Sequence, residues 1–143
     1  MQLAISLHKK GDVSIIETGG AALKNIVIDN TDVPEEQRGG TAKQLLGAAA
    51  LYCYAASLTA AMEARALRYT SLDLSAALDV GHNEKGQSRV LKITITADVG
   101  IDEDDLDLFE RVARVMKSGC LVTGSLHDGI DMVYELNPVC DNG

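Results

Sequence analysis

The sequence predicts one α+β domain in which antiparallel strands surround a long apolar helix. Three observations support this prediction: short apolar segments separated by turn residues open the chain, an uncharged stretch covers residues 45–62, and alternating strand patterns with a second helix follow. With 143 residues, of which 46% are hydrophobic, the chain can bury one core but hardly two. We therefore expect residues 1–143 to form a single domain.

Three short strands are predicted before residue 30. The segments QLAISLH, DVSIIET and ALKNIVID are rich in apolar or β-branched residues, and the KKGD and GG sequences between them are typical of hairpin turns. This order predicts a β-meander. The polar loop NTDVPEEQRGG follows, and Thr41 is a suitable N-cap for a helix that runs to about Leu67.

The long helix is unusual because residues 45–62 carry no charge, which is nearly the length of a membrane span. Many of these residues are Ala or Gly, and the flanks carry mixed charges, so we predict a buried helix of a soluble protein and no membrane partner. A helix that is apolar on all sides needs cover on all sides. A second copy of the chain can supply that cover, which predicts a homodimer.

The second half of the chain combines two more strands with a helix. Apolar and polar residues alternate over residues 72–78 and 91–99, and the GHNEKGQ segment between them has no regular pattern. The segment DEDDLDLFERVARVMKSG predicts a helix with acids in its first turn and Gly119 at its end. We expect another short helix to begin after Cys120 and the segment IDMVYEL to form a last strand.

Composition excludes several classes of function. The net charge of −8, the pI of 4.7 and the 3% aromatic content argue against a nucleic-acid partner. The start MQLAISLHKKGDV lacks the pattern of a secretory signal, so we expect a cytoplasmic protein. The three histidines lack metal-ligand spacing, the acidic run at 98–107 lacks the glycine and final Glu of a calcium loop, and GGTAK is not a phosphate loop. We therefore expect no metal and no cofactor.

The three cysteines are the remaining chemical groups, and in a cytoplasmic chain each is a core residue, a bystander or a reactive thiol. Cys140 lies in a polar tail, which favours a bystander. Cys53 lies within the apolar helix, and Cys120 directly follows the glycine that ends the second predicted helix. A thiol at the start of a helix meets backbone N–H groups that favour the thiolate.

The arrangement of these motifs resembles the osmotically inducible protein C and organic hydroperoxide resistance (OsmC/Ohr) family. The resemblance spans most of the chain and is carried by the Gly-Thr helix start, the pattern QLLGAAALYCYAASL and a second cysteine in CLVTGSL. It implies an intertwined homodimer with antiparallel sheets around long central helices. It also implies a thiol peroxidase that acts on organic hydroperoxides, in which Cys53 is oxidised to a sulfenic acid and Cys120 resolves it as a disulfide.

The chain departs from the family at the groups that would activate the first thiol. The family has a Glu ten residues before the helix cysteine, which holds an N-terminal Arg against the sulfur, whereas this chain has Lys43 there and no arginine before Arg38. Leu121 replaces the proline that often follows the second cysteine. We expect Lys43 to approach Cys53 of the partner if the two long helices cross near Ala48. Arg38, oriented by a nearby glutamate, is the other candidate cation.

Two functions therefore remain open at this stage. The first is a peroxidase that uses Cys53, Cys120, Lys43 and Arg38, with an organic hydroperoxide as substrate and an unidentified thiol as reductant. The second is a non-catalytic OsmC-like dimer that binds a small apolar ligand at its interface, with Cys53 as a core residue.

Overall fold

The computed structural model describes residues 1–140, and the chain divides into two compact units, residues 1–42 and residues 43 onward. The first unit is an antiparallel meander of β1 (Ser6–Lys10), β2 (Val13–Glu17) and β3 (Asn25–Asp29), in the order β1-β2-β3. The predicted three strands are thus confirmed. No residue between 1 and 42 is buried within the single chain.

Helix α1 (Thr41–Glu63) begins at the predicted residue and ends four residues before the predicted Leu67. Its buried residues, Gly47, Ala50, Leu58 and Met62, are spaced so that they share one face. The helix ends early because the chain turns at residues 64–66, where Ala66 has a positive φ of 53°.

The exposed face of α1 is apolar as well. Ala48, Ala49, Ala56 and Ala60 are exposed, and 79% of the Tyr52 surface is accessible. By length and composition this is a helix that could cross a membrane, a test that core helices of soluble proteins also pass.

Strands β4 (Ser71–His82) and β5 (Ser88–Gly100) pair as an antiparallel hairpin with an irregularity between Asp79 and Val80. Both are longer than the alternation predicted, because the segment that lacked a pattern is a compact turn. The Asn83 side chain accepts hydrogen bonds from the N–H groups of Lys85 (3.0 Å) and Gln87 (2.9 Å), and Gly86 has a φ of +76°.

The helices that follow are α2 (Leu106–Val115) and α3 (Leu121–Asp128), with a 3-10 turn over Met116–Ser118 and Gly119 between them. Both helices are predicted correctly. The central cluster of buried side chains joins the end of α1 to α2 and the turn after it. Its members are Leu58, Met62, Leu67, Val112 and Met116.

The predicted last strand is wrong for the single chain. The segment 130–136 has no regular secondary structure, and its large apolar residues are exposed, from 55% for Ile130 to 96% for Leu136. An extended segment becomes a strand only when another strand edge accepts its backbone hydrogen bonds. Among the described residues of this chain, none does so for 130–136.

Candidate active site

The structure brings Cys53 and Cys120 together at the beginning of α3. Cys53 projects from the middle of α1, and the backbone N–H of Val122, 69 residues away in sequence, donates a hydrogen bond to its Sγ at 3.5 Å. The two thiols also lie close enough for each to shift the pKa of the other. Both cysteines are free, Cys53 is half-buried and Cys120 is buried, with 8% of its surface exposed.

Gly119 sets the position of Cys120. It has φ 77° and ψ −157°, a backbone conformation essentially restricted to glycine, and it separates the 3-10 turn from α3. A Cβ placed on Gly119 would lie 2.6 Å from Thr123 Oγ1. The local sequence thus places a thiol at the N-cap of α3 with a threonine hydroxyl close beside it.

Cys120 and Thr123 form a reciprocal capping box at the start of α3. The Cys120 N–H donates to Thr123 Oγ1 at 2.9 Å, and the Thr123 N–H donates to Cys120 Sγ. The hydroxyl oxygen also lies 3.2 Å from Cys120 Sγ. The backbone and the hydroxyl of Thr123 therefore both contact the Cys120 sulfur.

The two thiols have pKa values that move in opposite directions. The hydrogen bond with Cys120 raises the pKa of Cys53, and the N–H of Val122 only partly offsets this effect. Burial opposes ionisation of Cys120, but hydrogen bonds from Cys53, Thr123 and the backbone outweigh it and lower the pKa of Cys120.

The two predicted cations are not bonded to the sulfurs. Lys43 is exposed in the first turns of α1, about 15 Å along the helix axis from Cys53 of the same chain. Arg38 donates to the backbone oxygens of Val33 and Asn30, both at 2.8 Å, and forms an ion pair with Asp12 at 3.3 Å. The expectation that a nearby glutamate orients Arg38 is wrong, since Asp12 supplies the carboxylate.

A cavity of about 650 Å³ is lined in part by Gly119 and Thr123, which flank Cys120 in sequence, while neither Cys53 nor Cys120 lines it. Helix α1 contributes Leu46, Ala50 and Tyr54, which are four residues apart and so share a face. Much of the remaining lining comes from β5 and α3. The volume lies within the usual range for small-molecule sites.

Three further observations complete the site. Within residues 1–140 no three His, Cys, Asp or Glu residues cluster in a way that could hold a metal ion. Sequence analysis missed Thr123, although the Cys-x-x-Thr spacing matches a capping box and gave a usable signal. Cys140 is exposed in the segment after α3.

Comparison with known proteins gives consistent results, although no protein-family model matches the chain. The sequence is 26% identical over 102 residues to the peroxiredoxin OsmC of Escherichia coli and to that of Shigella flexneri, covering 71% of this chain and of each relative. An OsmC-like protein of unknown function from Vibrio cholerae superposes with a TM-score of 0.66 at 16% identity, covering 87% of this chain and 93% of that one.

A second solved structure has the same fold. The organic hydroperoxide resistance protein of Elizabethkingia anophelis, solved with a crystallant-derived thiocyanate bound, gives a TM-score of 0.57 at 13% identity. The alignment covers 87% of this chain and 88% of that protein. Fold and sequence similarity together agree with the resemblance drawn from the cysteine motifs: this chain has an OsmC-like fold, and its sequence is similar to that of peroxiredoxin OsmC.

Proposed function

We propose that this protein is a thiol peroxidase that reduces organic hydroperoxides with Cys53 and Cys120. The observation that carries the proposal is the meeting of two free thiols from distant parts of the chain at the start of α3. Cysteines that serve only as packing residues have no need to lie beside each other. The names of the relatives, peroxiredoxin and organic hydroperoxide resistance protein, support the same chemistry.

The proposed reaction has two covalent steps. The Cys53 thiolate attacks the terminal oxygen of ROOH, the O–O bond breaks, and the alkoxide leaves and takes up a proton to give ROH and a Cys53 sulfenic acid. Cys120 then attacks the sulfenic sulfur, water is released after one proton transfer, and a disulfide forms. The hydroperoxide gains the two electrons that the dithiol loses, and an external thiol reductant restores the pair.

The cavity beside Thr123 supports an organic rather than an inorganic peroxide. It is lined largely by apolar side chains, including Leu46, Ala50 and Ile93. An alkyl chain gains free energy by leaving water for such a surface, whereas hydrogen peroxide gains nothing from it. We therefore expect bulky alkyl hydroperoxides to oxidise the protein faster than hydrogen peroxide does.

The active form that we propose is a homodimer built on α1. The exposed face of α1 carries Ala48, Ala49, Ala56 and Tyr52, and only four of the 23 helix residues are buried in the single chain. Gly47 does not belong to this face, because a Cβ there would lie 3.1 Å from Leu78 of the same chain. An antiparallel crossing near Ala48 and Ala49 would bring Lys43 level with Cys53 of the partner.

Three free cysteines among the described residues suit a reducing compartment, which supports a cytoplasmic location.

Lys43 is the better candidate for a cation that acts across the dimer, since Arg38 already uses three of its nitrogen atoms for hydrogen bonds. The expected effect of either cation is to help the Cys53 thiolate form and to stabilise the charge that develops on the leaving oxygen.

The test is a count of free thiols after one equivalent of an alkyl hydroperoxide. Because Cys140 is exposed, the experiment uses Cys140→Ser as the parent. We expect two thiols per chain to disappear and a Cys53–Cys120 disulfide to be found by peptide mapping. Unchanged thiols, or oxidation that stops on one cysteine, would contradict the two-cysteine reaction.

A second candidate function is a dimer that binds a small apolar ligand and catalyses no reaction. One observation favours it: the neighbouring Cys120 raises the pKa of Cys53, so that the Cys53 thiolate forms less readily. A protein of that kind would bind alkyl alcohols and alkyl hydroperoxides equally well in the cavity and lose no thiols. Calorimetric titration with the alcohol, together with the thiol count, separates the two functions.

A further inference from the structure

We propose that the cavity beside α3 binds an alkyl carboxylate as an intact ligand, with the carboxylate at Lys117 and His127 and the alkyl chain between α1 and β5. Such a ligand goes beyond the proposed function because it meets neither sulfur, since neither Cys53 nor Cys120 lines the cavity. It shares the cavity with the alkyl chain of the proposed hydroperoxide but depends on no thiol chemistry.

The walls of the cavity are apolar on two sides. Leu46, Ala50 and Tyr54 follow one another at four-residue intervals on one face of α1. Ile93 and Ile95 lie on the same face of β5, since alternate residues of a strand share a face. The volume of about 650 Å³ lies in the range of small-molecule sites, and each CH₂ group buried on such walls raises the affinity about four-fold. The walls therefore fit an alkyl chain.

The cavity has an apolar floor and a basic rim. Ala50 is fully buried and Met116 is only 6% exposed, whereas Lys117 and His127 are exposed to solvent. A ligand whose alkyl chain lies on this floor would therefore have its polar end beside Lys117 and His127.

The charge around the cavity has the opposite sign to that of the whole chain. The chain has a net charge of −8, yet Lys92, Lys117 and His127 line the cavity and none of the described lining residues is acidic. Within residues 1–140 these three side chains form no ion pair with a carboxylate, although Asp79 lies opposite Lys92 in the β4–β5 register. An ammonium group without a carboxylate partner attracts an anion, and an imidazole N–H can donate to that anion. The head group of the ligand is therefore negatively charged.

A carboxylate suits this rim better than a phosphate does. Phosphate groups are usually held by arginine or by several backbone N–H groups at the start of a helix. None of the described lining residues is arginine, and the N–H groups of Val122 and Thr123 at the start of α3 already donate to the two sulfurs. One ammonium and one imidazole match the single charge and the two oxygen atoms of a carboxylate.

The experiment compares decanoate, octanoate and decanol by calorimetric titration of the reduced full-length chain, below the concentration at which decanoate forms micelles. We expect decanoate to bind about five-fold more tightly than decanol, because the rim attracts its charge, and added salt to reduce this difference. Octanoate, which is two CH₂ groups shorter, should bind about fifteen-fold more weakly than decanoate. Decyltrimethylammonium controls for attraction to the acidic surface and should bind more weakly than decanoate. Decanoate binding that is absent, or no tighter than decanol binding, would overturn the proposal.

The basic rim is tested with two substitutions and two matched controls. Lys117→Met and His127→Ala should each weaken decanoate binding about two- to five-fold and leave decanol binding nearly unchanged. Both side chains are exposed, so we expect the variants to keep the native circular dichroism spectrum. Lys85→Met and His8→Ala change exposed residues outside the cavity and should bind decanoate like the parent. Natively folded Lys117→Met and His127→Ala proteins that bind decanoate like the parent would refute the carboxylate site.

The outcomes also separate this inference from the proposed function. Calorimetric titration involves no hydroperoxide, so decanoate can bind to a protein that oxidises no thiol. Conversely, a protein that loses two thiols to an alkyl hydroperoxide but binds decanoate no more tightly than decanol would remain a peroxidase without a carboxylate site.

Discussion

Replacing Gly119 with alanine tests whether the backbone before α3 sets the chemistry of the thiol pair. Alanine at φ 77° and ψ −157° is strained by about 1–3 kcal/mol. The new Cβ would also lie 2.6 Å from Thr123 Oγ1, so the hydroxyl must move away from Cys120. Losing the two contacts of the Thr123 hydroxyl with Cys120 lowers the free energy of unfolding by about 0.5–1.5 kcal/mol for each contact. We expect Gly119→Ala to lower the free energy of unfolding by about 2–6 kcal/mol.

The matched control is Gly86→Ala in the hairpin turn between β4 and β5. Gly86 also has a positive φ, of +76°, but a Cβ there meets no atom within 4 Å. Gly86→Ala should therefore be destabilised by backbone strain without any change in the pKa values of the thiols. Urea unfolding at fixed protein concentration gives the stabilities, and thiolate absorbance against pH gives the ionisation of the pair.

The expected result is that both alanine variants are less stable and that Gly119→Ala alone raises the pKa of the Cys120 thiol. If both variants titrate like the parent while Gly119→Ala is destabilised, the contact between Thr123 and Cys120 does not control the thiolate. If Gly119→Ala is as stable as the parent, the backbone argument itself is wrong.

Four further outcomes are expected. Val112→Ala should cost about 1–3 kcal/mol in urea unfolding because Val112 is fully buried, whereas Val115→Ala on the exposed side of the same helix should cost clearly less. Tyr52→Glu should convert the proposed dimer into monomers in light scattering, because it places a charge on the apolar α1 face; a monomeric parent at micromolar concentration would refute the dimer. Lys43→Met and Arg38→Met should raise the pKa of Cys53 and slow its alkylation, whereas Lys10→Met should do neither; identical profiles for all three would remove both cations from the mechanism. The reduced parent should become more stable than Cys120→Ser as pH rises toward the ordinary thiol pKa, because the lowered pKa of Cys120 lets the folded chain release that proton before the unfolded chain does. At higher pH this gain in stability should be lost, because the raised pKa of Cys53 keeps the Cys53 thiol protonated in the folded chain while the unfolded chain ionises.

Local patterns predicted most of the fold because they report directly on local structure. The alternation at 72–78, the helix start at Thr41 and the short helix after Cys120 all depend on neighbours close in sequence. The last strand was mispredicted because alternation cannot say whether a partner edge exists. The turn at Asn83 was missed because its stability comes from side-chain hydrogen bonds to the backbone rather than from hydrophobic periodicity.

Only part of the candidate site could be predicted from the sequence. The resemblance led to the pairing of Cys53 with Cys120, but only the structure supplies the Val122 amide and the Thr123 hydroxyl that surround the sulfurs. The directions of the pKa changes depend on those donors and could not be obtained from sequence spacing. The Asp12 partner of Arg38 was likewise beyond local reasoning, since it lies 26 residues away.

The hydrogen bond from Val122 to Cys53 has a consequence for how the protein is made. The two residues are 69 positions apart, so the donor reaches the sulfur only after α1, the β4–β5 hairpin and α3 have come together. A chain still emerging from the ribosome has cysteines with ordinary pKa values near 8.5, mostly protonated and slow to oxidise. The contact around Cys53, and the shifts in pKa that accompany it, are therefore acquired only at the end of folding.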